Sequence, residues 1–147
     1  MYQRILIATD GSTLSRKAVN SGIKLAELTG AQIVALSVVA RYPVSYFEGG
    51  LSVPSSDVAR IEKQWSESAM AVVEAVKLTA EAKGIKTRAV TMSSDLIAES
   101  IIAAAKKHKC DLIVMASHGR RGIKRLLLGS ETTHVLTHSH IPVLVLR

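Results

Sequence analysis

This chain has almost no sulfur chemistry and few aromatic rings. A single cysteine, Cys110, stands among 147 residues, which excludes an internal disulfide and any zinc site built from several thiolates. Beside the apolar run that begins at Asp111 it reads as a small core residue rather than a nucleophile. One Trp, three Tyr and one Phe leave few platforms on which nucleic-acid bases could stack. No apolar run reaches the ~18 residues that mark a membrane span. Met1-Tyr2-Gln3-Arg4 leads straight into a strand pattern, without a basic-then-apolar leader. The expectation is a cytoplasmic protein with no membrane association. Repeats, linkers and low-complexity tracts are also missing, and 48% hydrophobic residues suffice for one domain around a single filled core.

The formal charge of +7 raises the question of a nucleic-acid partner. Most of that charge has a local reading. Lys106, Lys107, His108 and Lys109 close a predicted helix, where cations complement the carbonyl end of the dipole. Arg120, Arg121, Lys124 and Arg125 crowd one loop. With so few aromatics, nucleic acid is not the favoured partner.

Strand and helix patterns alternate throughout, as βαβ units and a parallel sheet require. The first strand covers Arg4 to Thr9. Ser12 or Thr13 caps the next helix, which carries Leu14, Ala18, Gly22 and Leu25 at helical spacing and ends near Gly30. Ala31 to Val39 form the second strand. Arg41 to Ser56 break the rhythm with Pro43, Pro54, Gly49-Gly50, Tyr42, Tyr46 and Phe47, and this segment reads as a long surface flap. A helix from about Asp57 to Lys83 follows, long enough to invite a kink, then a third strand from Ile85 to Met92. Ser93 or Ser94 caps a helix with Ile97, Ile101 and Ala104 on one face. The fourth strand is Asp111-Leu112-Ile113-Val114-Met115, and a short helix from Ser130 to about Thr137 precedes the last.

The fourth strand empties into Ala116-Ser117-His118-Gly119, and nine residues later comes Gly129-Ser130. A buried strand that runs into a glycine loop and a helix start builds an anion pocket. Glycine lets backbone amides approach a phosphate, and the helix adds unpaired N–H groups and a positive dipole end. The pattern points to a phosphorylated small molecule, above all a nucleotide.

These residues resemble the universal stress protein family, whose nucleotide-binding members carry Gly-x-x-Gly, nine residues, then Gly-Ser/Thr. Gly119, Gly129 and Ser130 match, and Ala116 stands where the first glycine belongs. Ile5-Leu6-Ile7-Ala8-Thr9-Asp10-Gly11-Ser12 is similar to the family's opening strand and turn, and Ile141-Pro142-Val143-Leu144-Val145 to its closing strand. The resemblance implies an open five-stranded parallel α/β sheet of order 3-2-1-4-5 with helices on both faces. It puts a ligand crevice at the carboxyl ends of strands one and four, flanked by Asp10 and Gly119. It implies ATP, with Mg²⁺ carried by the nucleotide, held by Ala8, Thr9, Asp10, Val38, Met115, Ala116, Gly119, Arg120, Gly129, Ser130 and Glu131. It also implies a homodimer through the last strand and a further protein partner.

Each of these residues has a plainer reading. Asp10 is also a turn former, Val38 and Met115 are also core residues, and Gly129-Ser130 also start a helix. Glu131 suits the helix dipole but opposes an incoming polyphosphate. Ser117-His118 are sequence neighbours, poorly spaced for a nucleophile and its base, and neither a Gly-x-Ser-x-Gly elbow nor a Walker loop occurs. His134, His138 and His140 read as surface histidines rather than metal ligands. The expectation is therefore a stress-response or signalling binder rather than an enzyme. The alternatives are a slow ATPase, or a dimeric adaptor for AMP, a cyclic nucleotide or no nucleotide.

Overall fold

A computed structural model describes residues 1–43, 54–119 and 128–147. The strands are β1 (Arg4–Ala8), β2 (Gln32–Val39), β3 (Thr87–Ser93), β4 (Leu112–Ala116) and β5 (Val143–Leu146), and the helices are α1 (Thr13–Thr29), α2 (Ser55–Glu81), α3 (Ile97–Lys107) and α4 (Ser130–His138). All strand pairs are parallel and the order is β3-β2-β1-β4-β5, as the family resemblance implied. Residues 44–53 of the expected flap and the Arg120–Arg125 cluster lie outside the described residues. Just before that gap, Tyr42 stacks on Trp65 of α2 at 6.0 Å, and its amide donates to Glu62 Oε1 at 3.2 Å.

Alternation along the strands divides the core between the two faces of the sheet. Ile5 and Ile7 join Val114 against Ala18 and Ile23 of α1 and Val73 and Val76 of α2. Leu6 and Ile113 turn the other way, with Leu36, against Ile101 of α3 and Val135 of α4. Asp111 ties the first strand down, its two carboxylate oxygens accepting from the amides of Gln3 at 2.8 Å and Arg4 at 3.0 Å. Cys110 is buried, and that burial pushes its thiol up to about 11, so it stays protonated and packs as the sequence implied.

Element ends differ from the sequence reading for local reasons. Ser12 caps α1, its side chain accepting from Ser15 N at 3.2 Å, and Gly30 closes the helix at φ 75°. The second helix begins at Ser55 after Pro54 and runs for 27 residues without a break. β3 starts at Thr87 rather than Ile85, because Gly84 turns at φ 78° and the Ile85 amide bonds back to Ala80 O at 3.1 Å. Neither Ser93 nor Ser94 caps α3. Ser94 Oγ accepts from Leu96 N at 3.0 Å in the turn ahead, and Leu96 itself occupies the cap position.

Gly22 sets the distance between α1 and the sheet. A methyl there would lie 2.5 Å from Cδ1 and 2.8 Å from Cγ1 of the fully buried Ile7. Gly22→Ala is expected to lose about 1–2 kcal/mol, because overpacking outweighs the gain in helix propensity. Ile7→Val removes the nearest methyl, so the same change should cost less in that background. Urea denaturation of the four proteins measures the coupling, and strict additivity would show that α1 is not held at contact distance by this pair.

Candidate functional site

The strand order reverses beside β1, which pairs with β2 on one side and β4 on the other. The chain leaves β1 and β4 in opposite directions, which opens a crevice beyond their carboxyl ends. A cavity of about 160 Å³, open to solvent on one side, lies there. Of the residues expected at the site, Ala8, Thr9, Asp10, Val38, Met115, Ala116, Gly119 and Glu131 line it. Gly129 and Ser130 stand next to it at the start of α4, and Arg120 lies outside the described residues. Leu36, Ile97, Ile101, Ser15, Thr132 and His118 also line the cavity, and sequence reasoning gave them no place at a site. The aliphatic ones were legible as core positions, but nothing in their spacing indicates that one edge of each is exposed to a cavity.

The β1 turn is built by its own side chains. Asp10 Oδ1 accepts from Ser12 N at 2.9 Å, and Gly11 takes φ 79°, which favours glycine. Thr9 Oγ1 accepts from Gly11 N at 3.2 Å and lies 3.0 Å from Ser15 Oγ. Asp10 therefore forms the turn, as the plainer reading held, while its other oxygen reaches across the crevice. A Cβ on Gly119 would sit 3.2 Å from Asp10 Oδ2, so the β1 and β4 turns meet there, and a side chain at position 119 would push them apart.

The β4 loop is closed by hydrogen bonds to α4. Gly129 N donates to Ser117 O at 2.8 Å, and Thr132 Oγ1 donates to Ala116 O at 3.0 Å and Ser117 O at 3.1 Å. This corrects one expectation. The Gly129 amide is engaged by a carbonyl, so donors toward an anion at this turn fall to Ser130 and the first-turn amides of α4, which have no intrahelical acceptor. Room at 129 is tight, since a Cβ would meet Ser117 O at 3.1 Å.

Glu131 is turned aside from the conflict its charge implied. Its Oε2 accepts from Ala98 N at 2.9 Å, capping α3 from a neighbouring helix where Leu96 offers no acceptor. A second tie joins the same helices, with His134 Nε2 3.2 Å from Glu99 Oε1. His138 Nδ1 lies 3.0 Å from His134 O. Both histidines thus have partners within α3 and α4, in line with their reading as surface residues.

Ser117 Oγ and His118 Nδ1 lie 2.9 Å apart, closer than their adjacency suggested. Ser117 is only 2% exposed, so its hydroxyl does not reach a substrate in the cavity. The bond orients the His118 ring at the cavity wall.

Together these features define an open parallel α/β domain with a crevice at its switch point. A sequence model of the universal stress protein family matches residues 1–147, and the chain belongs to that family. It is 35% identical over 147 residues to universal stress protein MJ0531 of Methanocaldococcus jannaschii, covering 100% of this chain and 83% of the relative. Among solved structures, universal stress protein UspA from Lactobacillus plantarum superposes with a TM-score of 0.82 at 23% identity, covering 99% of this chain and 98% of that one. A universal stress protein in complex with cAMP superposes with a TM-score of 0.71 at 23% identity, covering 99% and 97%. These likenesses fix the fold.

The α3–α4 cap yields a direct test. Glu131→Ala leaves the Ala98 amide without its acceptor and is expected to cost about 1 kcal/mol, the usual value of a helix cap. Glu131→Gln keeps an acceptor oxygen and should cost less. Urea denaturation gives the energies, and amide exchange at Ala98 should quicken in the alanine variant alone.

Proposed function

We propose that the crevice binds an adenine nucleotide, ATP with Mg²⁺ carried on its phosphates, and that the protein is a cytoplasmic stress-response or signalling binder rather than an efficient enzyme. One observation carries this reading: Asp10 and Gly119 converge across the switch point at the mouth of an apolar cavity. Val38, Met115 and Ala8 offer apolar walls to a flat base, with Asp10 and Thr9 toward the nucleoside. Ala116, Gly119, Ser130 and Glu131 belong to the phosphate side, where the start of α4 supplies amides and dipole. Gly129 keeps the loop closed behind them. Relatives support the ligand class: one solved family member is a complex with cAMP, and one from Arabidopsis thaliana, with a TM-score of 0.67 and 16% identity, has AMP bound.

A second reading, AMP or a cyclic nucleotide, is favoured by the Gly129 amide. With that donor engaged by Ser117 O, fewer groups remain for a triphosphate than the glycine motif implies. We also assign a homodimer to the outer edge of β5, which pairs with β4 on its inner side and exposes Leu144. A second copy would cover that edge, and nucleotide state would govern which further protein docks.

Calorimetry with ATP, AMP and cAMP separates the ligands. Gly129→Val is expected to weaken the preferred nucleotide at least about tenfold, or 1.4 kcal/mol; equal affinity in variant and wild type would remove the nucleotide from this crevice. ATP turnover should fall far below the roughly 10 s⁻¹ typical of enzymes.

Assembly is tested by light scattering. Val145→Pro deletes a ladder donor on the outer strand and is expected to convert a dimer to monomers with circular dichroism unchanged. A wild-type monomer would rule out the β5 interface.

A further inference from the structure

A second cleft opens at the opposite pole, against the amino ends of β1, β2 and β3, with about 1060 Å³ of open space. Arg4, Lys77, Lys86, Arg88, Lys107 and Lys109 line it, and Glu74 is the acidic residue among its lining groups. These cations come from β1, α2, the approach to β3, β3 itself, the end of α3 and the turn after it, so the fold gathers what the sequence scatters. None of them forms an ion pair with a carboxylate among the described residues. Helix-dipole complementarity accounts for Lys107 at the end of α3, but not for Arg88 on a strand or Lys86 beside it. Like charges held in one cleft repel, and that cost persists until an anion enters.

Two details fit a built anion site. Arg4 is fixed in place, its Nη1 donating to His108 O at 2.7 Å and its Nη2 to Gln32 Oε1 at 3.2 Å. Lys109, at φ 55°, is the left-handed residue that closes α3, its amide donating to Lys106 O at 3.1 Å and the Cys110 amide to Ala105 O at 2.8 Å, so a lysine holds a position where glycine is the usual residue. The cleft lining includes no Phe, Tyr or Trp, so it offers phosphate contacts without a stacking surface for bases.

We infer that this cleft is a second ligand site, separate from the nucleotide crevice, for a small anion with several phosphate groups. His108 sits on its wall and reports occupancy. Burial first, then Arg88, Lys107 and Arg4, lower its pKa from the ordinary 6.5. Lys77 and Glu74 of α2, Lys86 and Lys109 also face this cleft, and Asp111 follows in the chain. An anion among these cations offsets their repulsion of the imidazolium, so binding raises the His108 pKa.

The test is an NMR titration of the full chain with inorganic tripolyphosphate at low and moderate salt. Amides of Lys86–Arg88 and Lys107–Cys110 should shift, the His108 pKa should rise, and affinity should fall with ionic strength. Lys86→Gln with Arg88→Gln should weaken binding about tenfold, as expected when two charge-assisted contacts are lost. Lys17→Gln with Lys24→Gln removes the same charge from α1, outside the cleft, and should leave affinity nearly unchanged. Lys109→Gly guards against misfolding as an explanation, since it should raise Tm while weakening the anion. Shifts confined to His118, Gly129 and Ser130, or equal losses in the two glutamine pairs, would overturn the site. Tighter binding of a short RNA than of tripolyphosphate at the same amides would overturn the small-anion assignment. Gly129→Val should leave tripolyphosphate binding at the cleft intact, so this inference and the nucleotide reading fail independently.

Discussion

Parallel pairing of β1 with β2 on one side and β4 on the other is the constraint from which both ends of the molecule follow. Parallel neighbours cannot be joined by hairpins, so each connection is a helical crossover, and right-handed crossovers in opposite directions put helices on opposite faces. α1 and α2 therefore cover one face and α3 and α4 the other. The chain leaves β1 and β4 toward different faces, and among the described residues no helix fills the space between their carboxyl ends. Asp10 and Gly119, more than a hundred positions apart in the chain, face each other for that reason. Gly22 allows the arrangement to be compact, because the first crossover can lie directly on Ile7.

α3 joins the two poles electrostatically. Its amino end receives the Glu131 carboxylate on Ala98 N, and its carboxyl end carries Lys106 and Lys107 with the Arg4 guanidinium on the His108 carbonyl. Anion at the start and cations at the end is the arrangement a helix dipole favours. It also resolves the apparent conflict at Glu131. A carboxylate that accepts a backbone amide has part of its field neutralised by that donor and by the positive end of the helix behind it.

Much of the fold was legible because a parallel strand buried on both faces is a short apolar run, as at Ile5-Leu6-Ile7 and Ile113-Val114-Met115. Strand order was not legible from periodicity, since any parallel arrangement of these runs has the same pattern; it came with the family resemblance. The sequence missed what is made by side chains arriving from far along the chain. Ser94 was the natural local cap for α3, yet the acceptor comes from Glu131. Gly129 was read as a phosphate donor, but its amide is taken by Ser117 O, a contact that exists only once the loop is closed. Lys106 to Lys109 were visible as a helix terminus, whereas the union of Lys107 and Lys109 with Arg4, Lys77, Lys86 and Arg88 requires the folded sheet.

The polarity of the sheet explains where its charges lie, and where that explanation stops. In a parallel α/β sheet, helices start near the carboxyl ends of the strands and finish near the amino ends. Acidic groups are therefore stabilised at one pole and basic groups at the other. The two carboxylates lining the crevice follow the rule, Asp10 bonding Ser12 N ahead of α1 and Glu131 bonding Ala98 N in α3. Both carboxylates there accept from backbone amides at helix starts, so part of their charge is already answered within the fold. The opposite pole exceeds the rule. Helix ends there account for Lys107 and for the left-handed Lys109 that closes α3, but cations on β3 answer no helix carbonyl. The β3 cations are thus the part of this pole's charge that helix dipoles leave unexplained.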